Sequence, residues 1–116
     1  MSRNILYNVV RDNVPNSLVD DQGLMDIARQ ITGLWPTDVT RLRFVGFRYN
    51  TIAGGSSFNL NSNEIGLILS VGSGNAFTIN ATVFNQGNQV FGIVFNRIIA
   101  NAVGSCAFQY ALFTYQ

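Results

Sequence analysis

The chain has 116 residues, of which 47% are hydrophobic and 11% charged, with a formal net charge of +1. That length suits one domain with its own core, and the hydrophobic content excludes a disordered chain. There is no His, one Cys, and every basic residue is Arg, which removes the usual general base, the Schiff-base lysine, a disulfide framework and a Cys-only zinc site.

In chain order, the first apolar segment is Ile5 to Val10. It is β-branched and aromatic, and predicts a short strand. "RDNVPNS" follows, with the turn and breaker residues Asp12, Asn13, Pro15 and Asn16. Residues 1–17 are therefore expected to act as an N-terminal arm that docks on a neighbour. A helix is predicted from Asp21 to Thr32. Asp20 is its N-cap, Asp21 suits the positive end of the dipole, and Val19 and Leu24 have the spacing of a hydrophobic staple. Leu24, Ile27, Ala28 and Ile31 fall on one helical face. Gly33 is the expected stop, and Pro36 bars continuation.

The rest reads as β. "VTRLRFVGFRYN" is one strand, and "TIAGGSSFNLNSN" is a polar loop holding a short strand at Phe58 to Leu60. "EIGLILSV" alternates, with Ile65, Leu67, Leu69 and Val71 on one side. "GSGN" is expected as a hairpin turn. "AFTINATVF" reads as a single strand with Thr78, Asn80 and Thr82 outward. "NQGN" is a second turn, "QVFGIVFNRII" a third strand, "ANAVGS" a third connection and "CAFQYALFTY" the last strand. Short connections join antiparallel neighbours, so these strands are expected to form a four-stranded meander. The fold class is mainly β: one domain spanning residues 1–116, an antiparallel β-sandwich or barrel-like meander with one short N-terminal α-helix.

Two strands are apolar on both faces. "QVFGIVFNRII" carries Val90, Val94 and Ile98 on one side and Phe91, Ile93, Phe95 and Ile99 on the other. The last strand carries Phe108, Tyr110 and Leu112 on one side and Phe113 and Tyr115 on the other. One helix and one short chain do not cover four such faces, so a neighbouring subunit is the expected cover. Phe108 and Leu112 are assigned to the core. Phe113 and Tyr115, with Tyr110, are the candidate subunit interface, because amphipathic aromatics suit an interface.

Other features carry less chemistry. Arg41 and Arg43 share a strand face, with Phe44, Phe47 and Tyr49 near by. They are candidate partner or nucleic-acid contacts by phosphate pairing and base stacking, against the plainer reading of solvent-facing arginines. Acids nearly cancel the arginines, so nucleic acid is not an expected partner. Asp20, Asp21 and Asp26 lack the spacing of a calcium loop. "NAT" at Asn80 to Thr82 matches the glycosylation pattern, which matters only in a secreted chain. Cys106 reads as a small buried apolar residue. No catalytic, metal or cofactor residue is assigned, and an enzyme is not expected.

"MSRNILYNVV" has neither the apolar run nor the cleavage site of a secretory signal. Asn96 and Arg97 interrupt the longest apolar stretch, so no transmembrane helix is expected. Synthesis in the cytoplasm is the expectation. A charged fraction less than half the roughly 25% of average domains leaves little protection against self-association. The profile is similar to that of small structural proteins of virions, especially phage capsid cement or decoration subunits. That resemblance, one of composition, implies a compact, β-rich, non-catalytic oligomer, made without a secretion signal and incorporated in a virion beside other virion proteins. A self-assembling structural subunit, cyclic and for example trimeric, is the leading expectation. A carbohydrate-binding or lectin-like β module is the second, and a β-barrel pore subunit the third.

Overall fold

Two helices precede the strands in the computed structural model, which describes residues 2–35, 39–72, 74–85, 90–96 and 98–116, with side chains from residue 5 onward. Pro36, Ser73 of "GSGN", most of "NQGN" and Arg97 lie outside these residues. The first helix, α1, is Ser2–Asn13, which corrects the strand expected at Ile5 to Val10. Leu6 and Val10 sit one helical turn apart, and Val14 extends the row. All three are buried, Leu6 and Val10 completely. Burying this row outweighs the weak strand preference of β-branched residues. The expected arm is corrected with it: its apolar row packs into the chain's own core.

Helix α2 is Asp21–Ile31, one residue shorter than expected. The Asp20 carboxylate accepts the Gly23 N–H at 3.1 Å, so the cap forms as expected. Gly33 follows with φ +76°, the left-handed conformation that ends helices.

Eight strands follow: β1 (Leu42–Ile52), β2 (Ser57–Phe58), β3 (Glu64–Val71), β4 (Ala76–Ile79), β5 (Thr82–Asn85), β6 (Gly92–Phe95), β7 (Ala100–Ala102) and β8 (Cys106–Tyr115). They form two four-stranded antiparallel sheets, in the orders β1-β8-β3-β6 and β2-β7-β4-β5. The architecture is a β-sandwich; neither sheet closes into a barrel. The expected meander is corrected. β3 and β4 lie in different sheets, so "GSGN" is a crossover and not a hairpin turn. Only Gly92–Phe95 of "QVFGIVFNRII" is strand, and "ANAVGS", expected as a connection, begins with β7, which lies in the other sheet. "AFTINATVF" folds back on itself at Asn80 and Ala81, whose φ values are +49° and +66°. Two positive φ values in succession make the tight turn that joins twisted antiparallel strands.

The sandwich has a third layer. One core lies between the helices and the first sheet. It holds Leu6, Val10, Ile27 and Ile31 against Ile65, Leu67, Ile93, Phe95 and Phe113. The second core lies between the sheets and holds Phe58, Phe77, Ile79 and Ala100 against Ile68, Val71, Val94 and Phe108. Bulges adjust the alternation. The β3–β8 register shifts between Ile68 and Ser70, leaving Leu69 as the extra residue. Ile65, Leu67 and Leu69 therefore face the helices, while Val71, expected beside them, joins the inter-sheet core.

Helix α2 also holds the end of β6. Val90 is fully buried, so both its backbone groups need partners. Gln30 Nε2 donates to the Val90 carbonyl at 2.8 Å, and the Val90 N–H donates to Asp26 Oδ2 at 3.3 Å. Two side chains one helical turn apart thus satisfy one residue as a neighbouring strand would. Asp26 is oriented by Gln22 and Arg29, at 3.4 and 3.3 Å.

Three stability outcomes follow. Leu6→Ala should lower stability by about 2–5 kcal/mol in urea unfolding, and deleting residues 1–17 should damage the fold of the single subunit. Asp26→Ala should cost about 1–3 kcal/mol, because it leaves the buried Val90 N–H without an acceptor. The two substitutions are read from the urea midpoint, and the deletion from the loss of a cooperative transition.

Candidate functional site

The residues expected at the subunit interface are mostly interior. Phe113 is fully buried and Tyr115 nearly so, both beneath the helices. This corrects their assignment to a neighbour contact: α1, which the sequence reading did not anticipate, supplies the missing cover. The Tyr115 hydroxyl donates to the Ser62 carbonyl at 3.0 Å and lies against the Asn96 side-chain amide. Tyr110 is half-buried, on the opposite side of β8, and packs on Phe58 with ring centroids 4.9 Å apart. Phe108 and Leu112 are buried, as expected.

The arginines occupy a different surface. Arg43 lies opposite Thr114, on the side of the first sheet that faces the second. Arg41 exchanges backbone hydrogen bonds with Gln116 on that side. Strict alternation would place Phe47 and Tyr49 beside them. The β1–β8 register instead shifts between Phe44 and Gly46. The extra residue, Val45, turns Phe47 towards the helices and brings Arg48 to the arginine face, opposite Tyr110. Phe44 and Phe47 pack together beneath α1, at 5.3 Å between centroids. So Phe44, Phe47 and Tyr49 lie on the opposite face of the strand from these arginines, and the stacking constellation expected from the sequence is not assembled.

What is assembled is a row of three exposed arginines, Arg41, Arg43 and Arg48. Sequence alternation showed the first two; the bulge hid the third. Arg41 and Arg43 line an open polar cleft of about 450 Å³ with Asn63, Thr114 and Gln116. Neither forms an ion pair among the described residues. Glu64, two strands away, uses Oε1 to accept the Asn61 N–H at 2.9 Å.

The outer face of the second sheet has the opposite character. No residue of β2, β4, β5 or β7 is charged. Ser57, Asn101, Thr78 and Val83 form one row across it. Ile99 and Val103 flank β7 on the same side, by alternation with the buried Ala100 and Ala102. Val83, Ile99 and Val103 are 55%, 53% and 58% exposed. A smaller cleft, of about 260 Å³, opens where α2 meets the β4–β5 hairpin. Ile79, Phe84 and Ile93 give it an apolar floor, and Gln30, Asn80 and Thr82 a polar rim.

Asp20, Asp21 and Asp26 serve the helix, as cap, first-turn acid and Val90 partner. No group of His, Cys, Asp and Glu with metal-binding proximity occurs among the described residues. No helix among them is long and apolar enough to cross a membrane. Asn80 of "NAT" is exposed at the hairpin turn.

Burial raises the Cys106 thiol above its ordinary value of 9.0. Burial also raises the Tyr110 phenol above 10.0; Arg48 opposes this and Glu64 adds to it. Both groups hold their proton more tightly in the folded chain. Their contribution is complete below the unfolded-state values and is lost as pH rises through the folded ones. The urea midpoint should therefore hold level to about pH 8 and fall at higher pH, and the fall should be smaller in Cys106→Ala.

The chain matches no protein-family model, no curated protein and no solved structure.

Proposed function

We propose that this chain is a non-enzymatic structural subunit that assembles with copies of itself, most concretely as a capsid-associated cement or decoration subunit of a virion. The observation that carries the reading is the uncharged outer face of the second sheet, with Val83, Ile99 and Val103 each more than half exposed. The cores of protein interfaces are depleted of charge, because desolvating an unpaired charge is costly. Two like copies of such a face meet without charge repulsion. The virion setting rests on the compositional likeness to cement and decoration subunits. The neighbour contact moves from Phe113 and Tyr115 to this sheet. A second reading, a carbohydrate-binding module, is favoured only by the cleft at the hairpin, where a polar rim surrounds an apolar floor.

Sedimentation and light scattering test the first reading. The purified chain should have a mass several times its monomer mass of 12.7 kDa. Val103→Arg should shift it to smaller species with an unchanged circular dichroism spectrum. A monodisperse monomer at micromolar concentration would overturn the reading.

A further inference from the structure

Sheet edges offer unpaired backbone groups to any extended chain, and folded proteins protect them. Three of the four edges here are short or held. β2 has two residues and β5 four. The chain entering β6 is held by α2 through Val90. β1 is different: it has 11 residues and lies at the edge of the first sheet.

The ladder shows which β1 groups face outward. Arg41 exchanges both backbone hydrogen bonds with Gln116, at 3.2 and 2.9 Å. Arg41 and Arg43 therefore point inward, and Leu42 and Phe44 outward. Beyond the bulge, Arg48 Nη1 donates to the Phe47 carbonyl at 3.0 Å, and the Thr51 N–H donates to Asn50 Oδ1 at 2.9 Å. These side chains take groups that the ladder leaves over, so Phe47, Tyr49 and Thr51 point outward. Leu42, Phe44 and Tyr49 keep both groups without a partner among the described residues, and Phe47 keeps its N–H.

We propose that this edge receives an extended acidic segment of a different protein, added to the first sheet as a further strand with its carboxylates on Arg41, Arg43 and Arg48. Backbone pairing supplies the affinity, and alternate side chains supply the selection. The sign of the partner's charge follows from the edge itself. β1 contains no acid, and the nearby Glu64 is already engaged. A segment with an acid at every second residue presents all of them on one face. A second copy does not meet this requirement. β1 laid antiparallel beside β1 would crowd the arginines of both copies on one face, and like charges across strands destabilise pairing. Among the described residues, the exposed Asp12 and Asp21 lie in helices and Asp20 is held as the cap of α2, so none stands in a segment that could extend a sheet. The edge is separate from the outer face of the second sheet, so this proposal does not depend on how the chain self-assembles.

The test uses a fluorescein-labelled synthetic peptide of alternating Glu and Thr, with its Gln–Thr counterpart as control. Anisotropy at low salt should show saturable binding of the acidic peptide that weakens with added salt. The Gln–Thr peptide should bind about tenfold more weakly, as expected when several exposed ion pairs are lost. Hydrogen exchange should slow at the Leu42, Phe44, Phe47 and Tyr49 amides when the acidic peptide is present. Combining Arg43→Gln with Arg48→Gln should remove most of the discrimination between the peptides. Tyr49→Pro removes an outward N–H without touching the β8 ladder, and should weaken both peptides alike. If that variant does not fold, the arginine pair and the exchange pattern decide. Four results would each overturn the proposal. These are no binding of the acidic peptide, equal binding of both peptides, tighter binding of an oligodeoxythymidine of equal charge, or concentration-dependent protection of the outward amides in the protein alone.

Discussion

Strand β8 is apolar on both sides, and both sides must be kept from water. Ala111, Phe113 and Tyr115 project one way, and Cys106 and Phe108 the other. Burying one such side chain contributes about 1.5–3 kcal/mol, so neither side can be left open in a domain whose net stability is only about 5–15 kcal/mol. The helices cover the first side and the second sheet covers the other. β3 shares the arrangement, with Leu67 under the helices and Ile68 between the sheets. The three layers are what two doubly apolar central strands require. They also account for the location of polar chemistry, which is displaced to the edge strand β1, the outer face of the second sheet and the ends of α2.

Much of this was legible in the amino acids. The cap at Asp20, the spacing of Leu24, Ile27 and Ile31 and the stop at Gly33 are local signals, and local signals survive folding. The doubly apolar strands were visible too, as was the shared face of Arg41 and Arg43. What stayed hidden was decided at a distance. Ile5 to Val10 has strand-forming side chains, yet the row Leu6, Val10, Val14 matters more once a sheet is present to receive it. Without α1 the inventory of cover falls short, and the sequence then points to a neighbour at Phe113 and Tyr115, which α1 in fact covers. The turn at Asn80 and Ala81 lacks the glycine that usually marks it, and continued alternation from Phe77 to Val83 concealed it. The bulge at Leu69 leaves no mark in the residue pattern, and the one at Val45 only the adjacent Gly46, since a glycine inside a strand often marks a bulge. Each nevertheless reverses every side chain beyond it.

The two edges of the first sheet are treated in opposite ways. At β6, α2 reaches over with Gln30 and Asp26 and satisfies a backbone residue that a strand would otherwise claim. At β1, only side chains of β1 itself fold back, Arg48 onto Phe47 and Asn50 onto Thr51. Such local caps are easily displaced, since each is a single exposed hydrogen bond worth about 0.5–1.5 kcal/mol. The sheet therefore has a closed side and an open side. Gly46 fits this arrangement: a Cβ there would stand 3.0 Å from Arg48 Nη1, so the guanidinium can fold back because the side chain beneath it is missing.

The order in which the strands occur along the chain has a consequence for synthesis. Outside the β4–β5 hairpin, every connection between consecutive strands crosses from one sheet to the other. Successive strands therefore seldom pair, and the partner of β1 is β8, more than half the chain away. β8 is also the shared partner of β1 and β3. A ribosome that has released residues 42–71 has made β1, β2 and β3, none of which pairs with another. β3 gains a partner, β6, once residue 95 has emerged, but β1 waits for β8. Loops this long must close before their contacts contribute, which places the fold among slow, non-local folders. The first sheet is therefore complete only after translation has passed β8, the strand that β1 and β3 share.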